Sequence, residues 1–306
     1  MKKIHFLIAF LGVFTFVACD KVENPYVVVP PTELDETLFP GNFEDYPWPV
    51  FTENTNSNRN VLIEDYTGHT CVFCPQAADI AHQLEVDNPG RVFVASIHAG
   101  PSATGVVGFQ QLELPIYVHD FTNPEGRAYG IFFANGFGFT GNPRGTINRK
   151  KINDFIFQSP NNWTSQTNTM LAENDLKVNL QSKINFYPAT RGAFVHTEVD
   201  VLEPISNDLA VVTYFLEHSF VAPQKKQGVG DILDYNHHNV HRGNIDGLPW
   251  GRTLTDDLKD ANGNYYLDYS YQIPTQYDPS NCLIQVYVYN KTTLEILQVI
   301  EVPVVE

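Results

Sequence analysis

The spacing of apolar residues changes character near residue 175 of this 306-residue chain. Between about residues 55 and 174, short apolar runs alternate with stretches of helical period. Residues 61–66 (VLIEDY) and 91–97 (RVFVASI) predict two strands. The segment between them carries apolar residues at the i, i+3, i+4, i+7 spacing of an amphipathic helix, namely Ala77, Ile80, Ala81 and Leu84. The pattern therefore begins as strand, helix, strand.

The same alternation continues to residue 174. Asn123 and Pro124 predict a helix start, because proline is favoured at the first helical position. Two short strands are predicted at 145–149 and 155–157, followed by a closing helix at 163–172. Strand, helix, strand, helix, a strand pair and a final helix is the order of an α/β sandwich.

After residue 175 the pattern becomes that of short alternating strands separated by turns. Strands are predicted at 176–186, 193–202, 209–220, 265–273, 282–288 and 294–304. Six strands without a convincing helix predict an antiparallel β-sandwich. The intervening His237, His238 and His241, flanked by Gly230 and Gly243, are interpreted as part of a polar loop rather than a metal site.

The N-terminus has the pattern of an export signal. Lys2 and Lys3 precede an apolar run that is too short for a confident membrane span, and Phe16-Val17-Ala18-Cys19 resembles the lipobox of bacterial lipoproteins. We therefore expect a signal peptide at 1–18 and lipidation of Cys19, with plain secretion as the alternative. The proline-rich, acidic stretch 19–54 is predicted to be a lipidated tether, followed by an α/β domain at 55–174 and a β-sandwich domain at 175–306.

Charge excludes one class of partner. The formal charge is −16, and cleavage after Ala18 would remove two lysines and no acid, which gives −18. A polyanion such as nucleic acid would be repelled by this excess of carboxylates, so we expect no nucleic-acid partner.

The strongest chemical signal is the CxxC pair Cys71 and Cys74, between the first strand and the first helix. Unpaired N–H groups and the dipole at a helix N-terminus stabilise a thiolate. The pattern predicts Cys71 as the exposed attacking thiol and Cys74 as the buried resolving thiol.

Two alternatives remain open for this pair. Zinc needs four ligands, and the other mature cysteines are Cys19 and Cys282, so histidines such as His69, His82 and His98 would have to complete the site. A permanently oxidised, structural disulfide also fits an extracytoplasmic protein. Cys282 alternates with apolar residues and is interpreted as a buried core thiol.

The order strand, CxxC helix, strand, helix, then Asn142-Pro143 before a strand pair resembles the thioredoxin superfamily. The resemblance implies a cis peptide bond at Pro143, which would lie against the Cys71–Cys74 pair. It also implies that Asn142 offers backbone groups to an extended substrate. The chain departs from that family in its Val-Phe dipeptide, in lacking a Trp before Cys71 and in a long insertion at 99–122.

The whole chain is also similar to the outer membrane protein 28-related lipoproteins of Bacteroidetes. The matching pieces are the lipobox, Tyr66-Thr67-Gly68 before the CxxC pair, the segment 141–149, the stretch 234–242 and the last strand pair. The resemblance implies a thioredoxin-like domain followed by a β-sandwich, at the outer membrane and facing either the periplasm or the exterior.

Two functions follow as expectations. The first is thiol–disulfide exchange through Cys71 and Cys74, with protein thiols or disulfides as partners and the lipid anchor as the membrane contact. The second is a non-enzymatic binding or structural lipoprotein, in which the α/β fold is a scaffold and the sandwich binds an envelope protein or a glycan at the cell surface. We expect no cofactor and no metal, and an exposed Cys71 would favour the enzyme whereas a buried Cys71 would favour the scaffold.

Overall fold

The computed structural model describes residues 34–305. The predicted signal peptide, Cys19 and the first part of the predicted tether lie outside these residues. Within the described range, no helix is long and apolar enough to cross a membrane.

Three α-helices and twelve strands make up the described fold. The helices are α1 (Cys74–Asp87), α2 (Pro124–Phe133) and α3 (Pro160–Glu173). The strands are β1 (Val61–Tyr66), β2 (Val92–Ile97), β3 (Arg144–Ile147), β4 (Phe157–Gln158), β5 (Val178–Tyr187), β6 (Gly192–Val201), β7 (Leu209–Lys226), β8 (Gly230–Asn244), β9 (Arg252–Thr253), β10 (Tyr265–Gln272), β11 (Cys282–Asn290) and β12 (Ile296–Pro303).

Strands β1 to β4 and the three helices form an α/β layer, in the order expected from the sequence. β1 pairs in parallel with β2 and antiparallel with β3, which pairs with β4. Successive residues of β1 face opposite sides of the sheet. Val61 and Ile63 pack with α1 and α3, while Leu62 and Tyr66 belong to the core that contains α2.

One sheet crosses the predicted boundary between residues 174 and 175. Its strand order is β12-β11-β7-β8-β2-β1-β3-β4, with β9 attached to β7. The described residues accordingly fall into one compact unit, and a single buried core combines Leu62 and Tyr66 of β1 with Val212 and Tyr214 of β7. The change from mixed α/β to all-β structure is present, but the two parts share a sheet and a core.

The second sheet completes the β-sandwich. It contains three antiparallel strands in the order β10-β6-β5. Val195 of β6 and Leu267 of β10 pack in one apolar cluster with Val211 of β7 and Ile284 of β11, so this sheet covers one face of the larger one.

Residues 34–54 are not the extended tether that the sequence suggested. Leu38 and Tyr46 are buried and pack with Phe194 of β6. The Tyr46 hydroxyl and Nε2 of His196 share a hydrogen bond of 2.7 Å. The Nδ1 atom of the same ring lies 2.6 Å from an oxygen of Asp268. The aromatic residues of this segment gain burial on the sheet, which outweighs the extended preference of its prolines.

The histidine segment is also different from its prediction. Residues 230–244 form β8, whose partner is β7, and not a polar loop. Consecutive residues therefore face opposite sides of the strand, which separates His237 from His238.

Candidate functional site

Cys71 and Cys74 form a disulfide at the start of α1. Their Cα atoms lie 5.4 Å apart. Cys74 is the first residue of the helix and is followed by Pro75, while the Cys71 N–H donates to the carbonyl of Gly68 at 3.1 Å. The loop between β1 and α1 thus holds the pair at the helix N-terminus, as the CxxC pattern indicated.

Both cysteines are covered, and this contradicts the expected exposure of Cys71. Each is 1% exposed. The cover is the end of β7, which extends to Lys226 and not to residue 220 as predicted. The N–H of Lys225 donates to the carbonyl of His69, and the N–H of Gln227 donates to that of Val72, both at 2.9 Å.

A buried glutamine of β7 also binds the loop that carries Cys71. The side-chain amide of Gln224 donates to the carbonyl of Cys71 at 3.1 Å and to that of Gly68 at 3.3 Å. We call residues 222–238, which include the turn between β7 and β8, the cover hairpin. It satisfies loop carbonyls that a free CxxC loop would offer to solvent or to a bound peptide.

Asn142 and Pro143 lie at the entrance to β3, and their peptide bond is cis. The side-chain amide of Asn142 donates to the carbonyls of Tyr66 at 2.8 Å and Ala99 at 2.9 Å. The Asn142 side chain therefore ties the ends of β1 and β2 together. Among the described residues no hydrogen bond joins it to either cysteine.

A cavity of about 20 Å³ lies behind Cys74 and is lined by Asp65 of β1. Asp65 is 1% exposed, and neither of its carboxylate oxygens has a hydrogen-bond partner in the described structure. Burial raises the pKa of Asp65 to about 8, because the charged form loses its hydration without gaining a partner. Asp65 is thus a neutral acid at pH 7.

Sequence reasoning missed this residue. Its signal was the second of two acidic residues, Glu64 and Asp65, near the end of an otherwise apolar strand. A strand in which every residue is buried cannot keep a carboxylate hydrated, so such a residue needs a partner or a raised pKa.

Two buried histidines line the same cavity. His98 packs face to face on Phe121 with ring centroids 4.4 Å apart, and neither ring nitrogen has a described partner. His237 lines the cavity from β8. Burial lowers the pKa of His237 to about 3 and that of His98 well below its usual range, so both rings are neutral at pH 7.

A larger pocket of about 240 Å³ lies beside this cavity, between α1 and β8. On its wall the rings of His82 and His238 stack with centroids 4.3 Å apart and planes 10° from parallel. His241, further along β8, is buried and lies 3.0 Å from the amide oxygen of Asn244. Within residues 34–305 no group of three or more His, Cys, Asp or Glu side chains is arranged to hold a metal.

Cys282 lies far from this site in the sandwich core. It is buried with Ile284 and Val286, and burial raises the pKa of its thiol to about 12. Its position agrees with the interpretation as a core thiol.

The fold of this chain is similar to that of a solved structure. HBP35 of Porphyromonas gingivalis matches with a TM-score of 0.60 and 16% identity, over 80% of this chain and 75% of that chain. A domain of the outer membrane lipoprotein Omp28 from the same organism is 22% identical, with a TM-score of 0.28, over 42% of this chain and 89% of that one. No curated protein matches.

The family comparison is more specific. The model of the outer membrane protein Omp28 matches residues 132–306, which include Pro143, β8 and the whole sandwich. Cys71, Cys74 and Asp65 lie before the matched region. Because the match covers more than half of the sequence, the chain belongs to the family of the outer membrane protein Omp28.

Proposed function

We propose that this protein is an outer-membrane lipoprotein, anchored through Cys19, that carries a thiol–disulfide exchange centre at Cys71 and Cys74. The observation that carries the proposal is the position of Asp65, a buried acid without a described partner in the cavity that Cys74 lines. A structural disulfide gains nothing from such a group, whereas burying an unpartnered carboxyl costs free energy. Perturbed acids of this kind cluster at reactive sites.

Asp65 can supply the proton that the oxidised pair needs when it reacts with a thiol. A substrate thiolate attacks Sγ of Cys71, and a mixed disulfide forms as Cys74 leaves as a thiolate. Asp65, protonated at pH 7, gives its proton to that thiolate. A second substrate thiolate then attacks the substrate sulfur of the mixed disulfide and releases Cys71, so the substrate is oxidised and the protein is reduced by two electrons.

The fold supports the same proposal. Along the chain, β1, the helix that begins with the CxxC pair, β2, α2 and then a cis proline before β3 and β4 follow the order in which the chain resembles the thioredoxin superfamily. Partners would be protein thiols or disulfides of the cell envelope, since neither a cofactor nor a metal is needed for the exchange. Pro143 and Asn142 would lie beside the bound substrate once the cover hairpin is displaced.

The test is a redox titration of the full chain in glutathione buffers, with thiol trapping and mass spectrometry. We expect a reversible midpoint between about −120 and −270 mV in the folded protein. Asp65→Asn should slow exchange at pH 7 by about a hundredfold, as loss of a general acid does. The matched control is Asp87→Asn, an exposed acid on the same helix as Cys74, which should leave the rate unchanged.

A second candidate function has its own observation. Both cysteines are 1% exposed beneath the cover hairpin, which favours a structural disulfide in a binding lipoprotein whose partner is another envelope protein. A pair that stays oxidised until the protein unfolds would reject the exchange centre and make the disulfide structural, as the second function requires.

A further inference from the structure

The cover hairpin is held to the helix that carries Cys74 by side chains. On the side facing β2, β8 is joined to the sheet through one residue pair, Ser96 with Val240. Beyond that point the contacts between β8 and α1 are made by the stacked rings of His82 and His238 and by the amide of Asn239, which donates to Glu85 at 2.8 Å. The hairpin itself is held to the helix by the stacked rings and by the ion pair of Lys226 with Asp79 at 3.6 Å.

A third histidine adds to this contact. His218 of β7 lies with its ring centroid 6.5 Å from that of His238, and its Nδ1 atom is 2.9 Å from the amide oxygen of Asn239. Three imidazoles from three elements therefore meet at one end of the pocket between α1 and β8.

Two carboxyls lie near these rings. His82 lies 3.5 Å from an oxygen of Glu85, the nearest counter-charge. Burial raises the pKa of Glu85, and burial together with Glu85 raises the pKa of Glu301 on β12 to about 7. The charged and titratable groups that face the stacked pair are Asp79 and Glu85 of α1, His218 and Lys226 of β7, Tyr235 of β8 and Glu301 of β12.

Protonation of His238 places a positive charge against the facing ring of His82, whose centroid lies 4.3 Å away. Burial and the neighbouring rings His82 and His218 already lower the pKa of His238, which means that its protonation opposes the closed contact. Because opening raises this pKa, protonation of His238 favours the open form.

We propose that the cover hairpin is a pH-sensitive lid, closed over the Cys71–Cys74 disulfide at neutral pH and released when His238, stacked on His82, is protonated. The lid goes beyond the proposed function, because its opening can be measured whether or not the disulfide exchanges with a partner. If exchange does occur, the substrate reaches Cys71 mainly in an acidic surrounding.

The first measurement is hydrogen–deuterium exchange of the full chain at pH 7.5 and 5.5. The readout is the protection of the Lys225 and Gln227 amides, whose N–H groups donate across the contact to the carbonyls of His69 and Val72. Protection factors referred to the unfolded chain at each pH remove the intrinsic pH dependence. We expect the protection of these two amides to fall about tenfold at the lower pH. Protection of β1 and β11 should not change.

His238→Phe keeps a flat ring in the stack but cannot gain charge. The cover hairpin of this variant should therefore be equally protected at both pH values. His82→Phe, at a half-exposed position, makes the same test if the first variant does not fold. The matched control is His119→Phe, an exposed histidine on the far side of the hairpin, which should retain the wild-type response.

A second readout links the lid to the cysteines. The rate of disulfide reduction by a water-soluble phosphine, divided by the rate for the unfolded chain at the same pH, should rise in parallel at pH 5.5. Equal protection of the wild type at both pH values would overturn the lid. So would an unchanged response in both phenylalanine variants. A pH-dependent lid over a disulfide without a reversible midpoint would leave the lid standing and reject only the exchange function.

Discussion

Two adjacent carboxyls on β1, Glu64 and Asp65, have opposite environments. Glu64 faces Arg149, whose guanidinium donates to it at 2.6 and 2.7 Å and lowers its pKa despite complete burial. Asp65 faces the other side of the sheet and finds neither a cation nor a donor among the described residues. The alternation of side chains along a strand thus makes one acid a structural anion and the other a neutral acid.

The raised pKa of Asp65 predicts that the stability of the protein depends on pH. Its pKa of about 8 in the folded chain lies above its value in the unfolded chain, so the folded protein binds more protons between about pH 4 and 8. Stability therefore falls as pH rises through this window, by up to about 1.4 kcal/mol per pH unit. In urea unfolding, the free energy of unfolding of Asp65→Asn should fall between pH 6 and pH 8 by roughly 2 kcal/mol less than that of the wild type. Equal slopes for the two proteins would show that Asp65 is ionised in the folded state.

At the scale of elements, the length of β7 decides whether the disulfide is accessible. Its last residues leave the sandwich and run along the loop before α1, where the backbone of Lys225 and the side chain of Gln224 bind loop carbonyls. The hairpin therefore occupies the edge of the CxxC loop that an extended substrate would need.

Substitution of Gln224 tests this arrangement. Gln224→Ala leaves the buried carbonyls of Gly68 and Cys71 without their side-chain donor, at a cost of about 1–3 kcal/mol to the closed form. We expect reduction of the disulfide by dithiothreitol in the folded protein to accelerate by about tenfold. The control is Gln227→Ala, whose exposed side chain is not part of the contact. Equal rates for the two variants would mean that the hairpin does not protect the disulfide.

At the scale of the whole molecule, one buried ion pair joins the α/β layer to the sandwich. Arg149 and Glu64 are both fully buried, and the guanidinium also donates to the hydroxyls of Tyr214 at 3.2 Å and Tyr287 at 3.0 Å. Arg149 and Glu64 belong to the α/β layer, and the two tyrosines belong to β7 and β11. Neither part has a complete core without the other.

Removal of the cation should destabilise both parts together. Arg149→Met leaves Glu64 buried without its partner, and we expect a loss of about 3–5 kcal/mol in the free energy of unfolding. Lys150→Met breaks an exposed ion pair with Glu173 and should cost less than about 1 kcal/mol. Unfolding in urea, followed by fluorescence and circular dichroism, should remain a single transition. Two transitions, with only one of them shifted, would mean that the two parts unfold independently, as the two predicted domains would.

The sequence by itself determined the elements whose signals are local. The start of α2 at Pro124, the stripe of α1 and the alternation along β10 depend on residues a few positions apart. Periodicity and capping therefore predicted them, and the same local order placed Cys71 and Cys74 at a helix start.

Only the tertiary structure decided which of these residues meet. His237, His238 and His241 became a strand because β7 supplies a ladder of hydrogen bonds that no local pattern announces. Cys71 is covered, Asp65 is isolated and residues 34–54 are packed because each contact joins positions far apart in the chain. A single sequence records local preference at every residue, whereas burial, and with it the chemistry of a carboxyl, an imidazole or a disulfide, depends on which distant segment lies against it.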